Sequence, residues 1–148
     1  MIIIDKKTDL SLLVVTNPNC SVCRELQKNN DCDKIPLTRK LLLAPFSPMD
    51  ELAIQVIFKS KNPLNAYYQL LSGQPLNNIE IDWNKDISDV WNKNISMFDY
   101  LSSNYDIKGT PAFFIVDSND NVIESIKMEM TPVEVLNYNI DKFLHLNK

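Results

Sequence analysis

Apolar and polar positions change period several times along the chain, and those changes mark out its elements. Leu12 to Thr16 is an almost unbroken run of leucine and β-branched residues, the pattern of a strand buried on both faces. Ile2 to Ile4 reads as a short edge strand ahead of it, and Arg24 to Asn29 reads as a helix behind it. Ile35 to Leu43 predicts a second long strand that ends before Pro45 and Pro48, which cannot donate to a ladder. Pro36 and its polar neighbours confine the central part of that strand to its later half.

From Ser47 the period becomes helical. Ser47-Pro48-Met49-Asp50 supplies an N-cap, a proline at the first helical position and an acid in the first turn, with Met49, Leu52, Ala53, Val56 and Ile57 as the expected apolar face. Asn62-Pro63 repeats the device. Leu64, Tyr67, Tyr68 and Leu71 follow at helical spacing, and Gly73 with Pro75 reads as the stop. A third stretch carries Ile87, Val90, Trp91, Ile95, Phe98 and Leu101, a stripe read as core.

After Gly109 the period returns to two. Pro111 to Val116 predicts a strand, Asp117 to Asn121 a polar turn, and Val122 to Ile126 its hairpin partner. Thr131-Pro132-Val133-Glu134 combines a capping box with proline at the first position and opens a last helix with Val133, Leu136, Ile140, Phe143 and Leu144 on one face. The order βαβ, helices, ββα predicts an α/β fold. No repeat or linker interrupts it, so one domain over 1–148 is expected, with a helical insertion at about 47–105. Gly73 and Gly109 are the two glycines of the sequence, and each is expected where the backbone needs a conformation that other residues resist.

Composition narrows the classes. The 148 residues are 45% apolar and 23% charged, ordinary for a soluble globular domain, and no apolar run approaches the roughly 20 residues needed to cross a bilayer. Membrane insertion is therefore not expected. Lys and Arg number 15 against 19 Asp and Glu, giving −4 with no basic block, so nothing would neutralise a row of phosphates and nucleic-acid binding is unsupported. The first ten residues have neither the basic start nor the long apolar centre of a secretion signal. The chain is read as cytosolic, or as a mature piece or excised domain of an exported protein.

The chemistry is concentrated at Cys20-Ser21-Val22-Cys23, between the Leu12 strand and the following helix. Two thiols separated by two residues at the first turn of a helix lie on one face, close enough to form a disulfide. The unsatisfied N–H groups and macrodipole of the helix N-terminus favour the thiolate of the first cysteine. Cys20 is then the exposed nucleophile and Cys23 the inner, resolving thiol. Two other readings fit the same residues. The pair could form a structural disulfide in a binding module, or it could bind zinc with Cys32 as a third ligand and His145 as a fourth, although no second closely spaced pair completes a common zinc site. The redox reading is preferred, with no metal and no cofactor. Cys32 is left over and is read as a small surface or half-buried residue in preference to a regulatory partner for the pair.

The same residues carry a resemblance. A strand ending in Cys-x-x-Cys, then a βαβ unit, then Gly109-Thr110-Pro111 leading into a hairpin and a final helix resembles the thioredoxin fold, a central mixed sheet flanked by helices. The segments Val14 to Leu26, Leu42 to Phe46 and Ile107 to Ala112 look most like the catalytic domain of the bacterial periplasmic disulfide isomerases, the DsbC/DsbG group. Thr16-Asn17-Pro18-Asn19-Cys20 is also similar to thioredoxin-like domains fused to membrane-bound oxidases of the vitamin K epoxide reductase type.

The resemblance implies thiol–disulfide exchange on protein substrates, with Pro111 as the cis-proline against the disulfide and the backbone of Thr110 pairing with the substrate chain. It also implies an extracytoplasmic setting and an unidentified partner, membrane-bound in the fused oxidases, that recycles the pair. Three departures matter. The dimerisation domain of the isomerases is missing, Val14 replaces the buried acid that thioredoxins carry six residues before the first cysteine, and Asn19 replaces their tryptophan. Ser21-Val22 offers neither a histidine cation nor a proline to acidify Cys20 strongly, which predicts a reductase or isomerase poise rather than a strong oxidant.

Overall fold

The computed structural model describes residues 1–4, 6, 8–28, 37–107 and 109–126. Along them lie β1 (Ile2–Ile4), β2 (Ser11–Thr16), α1 (Ser21–Lys28), β3 (Thr38–Leu43), α2 (Pro48–Lys59), α3 (Pro63–Leu71), α4 (Ser88–Asn104), β4 (Ala112–Val116) and β5 (Val122–Ile126), with one 3-10 turn at Leu76–Asn78. The strands form one mixed sheet in the order β1-β3-β2-β4-β5. Central β2 runs parallel to β3, with Val14 opposite Leu41, and antiparallel to β4, with Val14 opposite Phe113. β1 and β5 pair antiparallel at the two edges.

The alternation of side chains along a strand explains the layers. Leu12, Val14, Leu41, Leu43, Phe113 and Ile115 point to one face and meet Cys23 and Leu26 of α1, Ile54 and Ile57 of α2, and Tyr67 and Leu70 of α3. Leu13, Val15, Leu42, Phe114 and Val116 point the other way, toward Leu101 of α4. Every residue of β2 is buried. At about 1.5–3 kcal/mol for each fully buried aliphatic side chain, that continuous run holds β2 in the centre and fixes the strand end from which the cysteines emerge.

Helix starts follow the expected chemistry. Ser47 caps α2 by accepting from the Asp50 N–H at 3.2 Å, and Asn62 caps α3 by accepting from the Asn65 N–H at 3.1 Å, each ahead of a proline. α3 ends at Gly73, whose φ of +98° favours glycine. Gly109 does not adopt a positive φ, contrary to expectation. The polar turn between β4 and β5 forms as expected, with the Asp117 carboxylate accepting from the N–H groups of Asn119 and Asn121, both at 2.9 Å.

Other expectations need correction. α1 begins at Ser21 rather than Arg24, and the described part of β3 begins at Thr38. On α2, Met49 and Leu52 are 64% and 46% exposed, while Ala53, Ile54, Ile57 and Phe58 are buried. The helix is apolar at several spacings, so its sequence fits more than one face, and packing against the sheet and α3 selects the second. On α4 only Asn94 and Leu101 are buried; Ile87, Val90, Trp91 and Phe98 are half-buried against the core. Its aromatic stripe is a seam rather than a core. Cys32, Ile35, Pro36, His145 and the expected helix from Thr131 lie outside the described residues.

Candidate functional site

The end of β2 turns sharply into α1. The Cys20 N–H donates to the Asn17 carbonyl at 3.1 Å, and the Cys20 carbonyl accepts from the Arg24 N–H at 3.1 Å, which opens the helix. The turn is fastened by side chains. Asn17 is buried; its Nδ2 donates to the Ala44 carbonyl at 2.8 Å and its Oδ1 accepts from the Asn19 N–H at 2.7 Å. Asn19 Nδ2 donates to Asp50 Oδ1 at 2.9 Å. Thr16, the last residue of β2, shares a 2.6 Å hydroxyl–hydroxyl hydrogen bond with Tyr67 of α3.

Cys20 is half-buried, less open than the sequence leads one to expect, and Cys23 is buried. The two sulfurs are joined, with Cα atoms 5.2 Å apart. The Cys23 N–H donates to the Cys20 sulfur at 3.1 Å, so a negative charge developing on Cys20 meets a backbone donor at the positive end of α1. Arg24 does not supply a mobile cation there, because its Nε donates to the Leu71 carbonyl at the end of α3.

The second half of the site arrives across 90 residues of sequence. The Thr110 carbonyl oxygen lies 3.4 Å from the Cys20 sulfur, and the Thr110–Pro111 peptide is cis. Pro111, Val14, Thr16, Cys23 and Tyr67 line a cavity of about 40 Å³ beneath the disulfide. All four residues singled out from the sequence, Cys20, Cys23, Thr110 and Pro111, thus lie together. Val14 is buried in the apolar core. A groove of about 240 Å³ runs between Asn19, which precedes Cys20 in the chain, and Arg24, Met49, Gly73 and Leu76, and Met49 on it is exposed.

Three polar residues here were not legible as site residues. Asp50 showed only the local signal of a helix cap and Asn17 only that of a turn. Asn94, fully buried on α4, had none; its Nδ2 donates to the Leu43 carbonyl at 2.7 Å and its Oδ1 accepts from the Leu43 N–H at 3.1 Å. It thereby holds the end of β3 next to the Ala44 carbonyl that Asn17 uses. No group of three His, Cys, Asp or Glu side chains suited to a metal occurs among the described residues, and the further zinc candidates Cys32 and His145 lie outside them.

The sheet order, the β2-α1-β3 crossover and the hairpin on the far side of β2 define a thioredoxin-like fold. The chain is similar to alpha-DsbA1 of Wolbachia pipientis (TM-score 0.69, 16% identity, 96% of this chain and 89% of that one). It is also similar to a periplasmic thioredoxin-like protein of Salmonella enterica serovar Typhimurium (0.66, 18%, 97% and 89%) and to oxidised BdbD of Bacillus subtilis (0.56, 15%, 97% and 92%). No protein-family model matches the sequence, and no curated protein matches it significantly. The fold expected from the isomerase resemblance is present; isomerisation itself is a question of function.

Proposed function

We propose that the chain is a thiol–disulfide oxidoreductase acting on protein disulfides as a reductase or isomerase, with Cys20 as nucleophile and Cys23 as resolving thiol. The observation that carries this reading is the seat of the Cys20 sulfur, which accepts the Cys23 N–H at the start of α1 and lies 3.4 Å from the Thr110 carbonyl. The Cys20 thiolate attacks a substrate disulfide, forms a mixed disulfide and expels one substrate thiolate. Cys23, as its thiolate, then attacks the Cys20 sulfur, closes the Cys20–Cys23 bond and releases the second substrate thiol. The substrate gains two electrons and the pair loses two. In isomerisation the expelled substrate thiolate attacks another disulfide of the same substrate, and the thiolate released there attacks the substrate sulfur of the mixed disulfide, so that Cys20 leaves as a thiolate and the pair ends reduced.

The backbone of Thr110 beside Pro111 is the proposed docking edge for the substrate chain, and the groove along Asn19 and Met49 takes the flanking residues. We further propose that 1–148 acts as one domain, outside the cytoplasm, with a redox partner that recycles the pair. One similar structure is of a protein described as periplasmic, which supports that setting, and another is of a protein described as a thiol-disulfide exchange protein, which supports the chemistry.

Replacing the resolving thiol tests the reading directly. Cys23→Ser is expected to accumulate a mixed disulfide between Cys20 and a reducible protein such as insulin, visible as a reductant-sensitive adduct, while Cys20→Ser forms none. A Cys20–Cys23 bond that resists excess dithiothreitol in the folded protein, or no adduct with Cys23→Ser, would point to a structural disulfide instead.

A further inference from the structure

Asp50 carries more than a helix cap requires. As the third residue of α2 its Oδ2 accepts from the Phe46 N–H at 3.0 Å, and its own N–H is bonded to Ser47. One carboxylate oxygen suffices for that. The other accepts from Asn19, 31 residues earlier and adjacent to Cys20 in the chain. Asp50 is only 7% exposed, so its charge acts through protein rather than bulk water. We propose that Asp50 is a positioning residue for the Cys20–Cys23 couple, a buried carboxylate from the helical insertion that fixes the loop before the nucleophile and biases the couple toward the disulfide.

The sign follows from electrostatics. A negative charge near Cys20 disfavours its thiolate, and a reduced state that is less stable as thiolate makes the couple more reducing. The Asn19 amide, which donates to Asp50 Oδ1, offsets part of the carboxylate's field. Other charged side chains on the surrounding described elements are Arg24 and Glu25 on α1, Glu51 beside Asp50 on α2 and Lys59 at the far end of α2. Arg24 is tied to Leu71, and Glu25 and Glu51 are exposed. α3 presents the Tyr67 hydroxyl bonded to Thr16, and the 109–111 segment presents the Thr110 carbonyl. With the acid position on β2 occupied by Val14, Asp50 is, among the described residues, the buried acid bonded to the loop before Cys20.

The inference rests on the oxidoreductase reading, so the wild-type couple is measured first, by equilibration with glutathione and by thiolate absorbance against pH. A wild-type pair that does not equilibrate overturns both. Given a working pair, Asp50→Asn is expected to lower the Cys20 pKa and to shift the equilibrium constant about threefold to tenfold toward the dithiol. Asn19→Leu, which keeps the charge and removes its amide donor, is expected to shift the same constant the other way. Ser47→Ala weakens the same helix cap without altering charge and is expected to leave potential and pKa in place. An Asp50→Asn couple within a factor of two of wild type, an equal shift in Ser47→Ala, or Asn19→Leu moving in the same direction as Asp50→Asn overturns the role. If Asp50→Asn does not fold, the sign of the Asn19→Leu shift decides.

Discussion

The two loops that flank the Cys20 sulfur are built in opposite ways. The Asn17–Cys20 turn is fastened from three directions, to the end of β3 through Asn17, to α2 through Asp50 and to its own carbonyl by the Cys20 N–H. Across the sulfur, among the described residues, no side chain other than that of Cys20 itself hydrogen-bonds Gly109, Thr110 or Pro111, and the loop meets the Cys20 sulfur through a main-chain carbonyl. The difference separates two tasks. A nucleophile must be held within a fraction of an ångström, whereas an edge that is to pair with many different chains must leave its backbone available and its side chains uncommitted.

Three substitutions would break or sharpen that contrast. The largest loss of stability is expected for Asn94→Ala, which strips both partners from the Leu43 main chain in a fully buried position. About 3–4 kcal/mol should disappear from denaturant unfolding, with the redox potential of the folded protein unchanged, because Asn94 supports β3 from behind and does not touch the turn. Asn17→Ala should cost about 2–3 kcal/mol, and unlike Asn94→Ala it should also slow thiol exchange, since the Asn19 N–H and the Ala44 carbonyl both lose their partner. Equal exchange rates in the two variants would remove the distinction between a pinned loop and its support. Smallest is Thr16→Val, about 1 kcal/mol for the lost hydroxyl pair with Tyr67, read in the same unfolding series.

What the sequence made legible follows range. β2, the Ser47 and Asn62 caps and the β4-β5 turn are written in adjacent residues, and each is found where its local chemistry puts it. Cys20, Cys23, Thr110 and Pro111 were identifiable because two short motifs had a known spatial relation in the resembling family. The buried face of α2 was not, because Met49, Leu52, Ile54, Ile57 and Phe58 satisfy helical spacing on more than one side and tertiary packing chooses between them. Asn94, Asn17 and Asp50 were hidden for another reason: each bonds across 27 to 51 residues, and a polar residue gives no sign in sequence of which distant group it will satisfy.

The bond from Arg24 to the Leu71 carbonyl bears on how small a working version of this protein could be made. Removing the helices between β3 and β4 would look like trimming an ornament from a compact catalyst. Yet the helix bearing the cysteines has its arginine anchored on the end of α3, and the residue before Cys20 is anchored on the start of α2. A shortened scaffold would therefore have to supply a substitute carbonyl and a substitute carboxylate at those two points. The same two anchors define the minimum that a graft of this site onto another sheet must transplant.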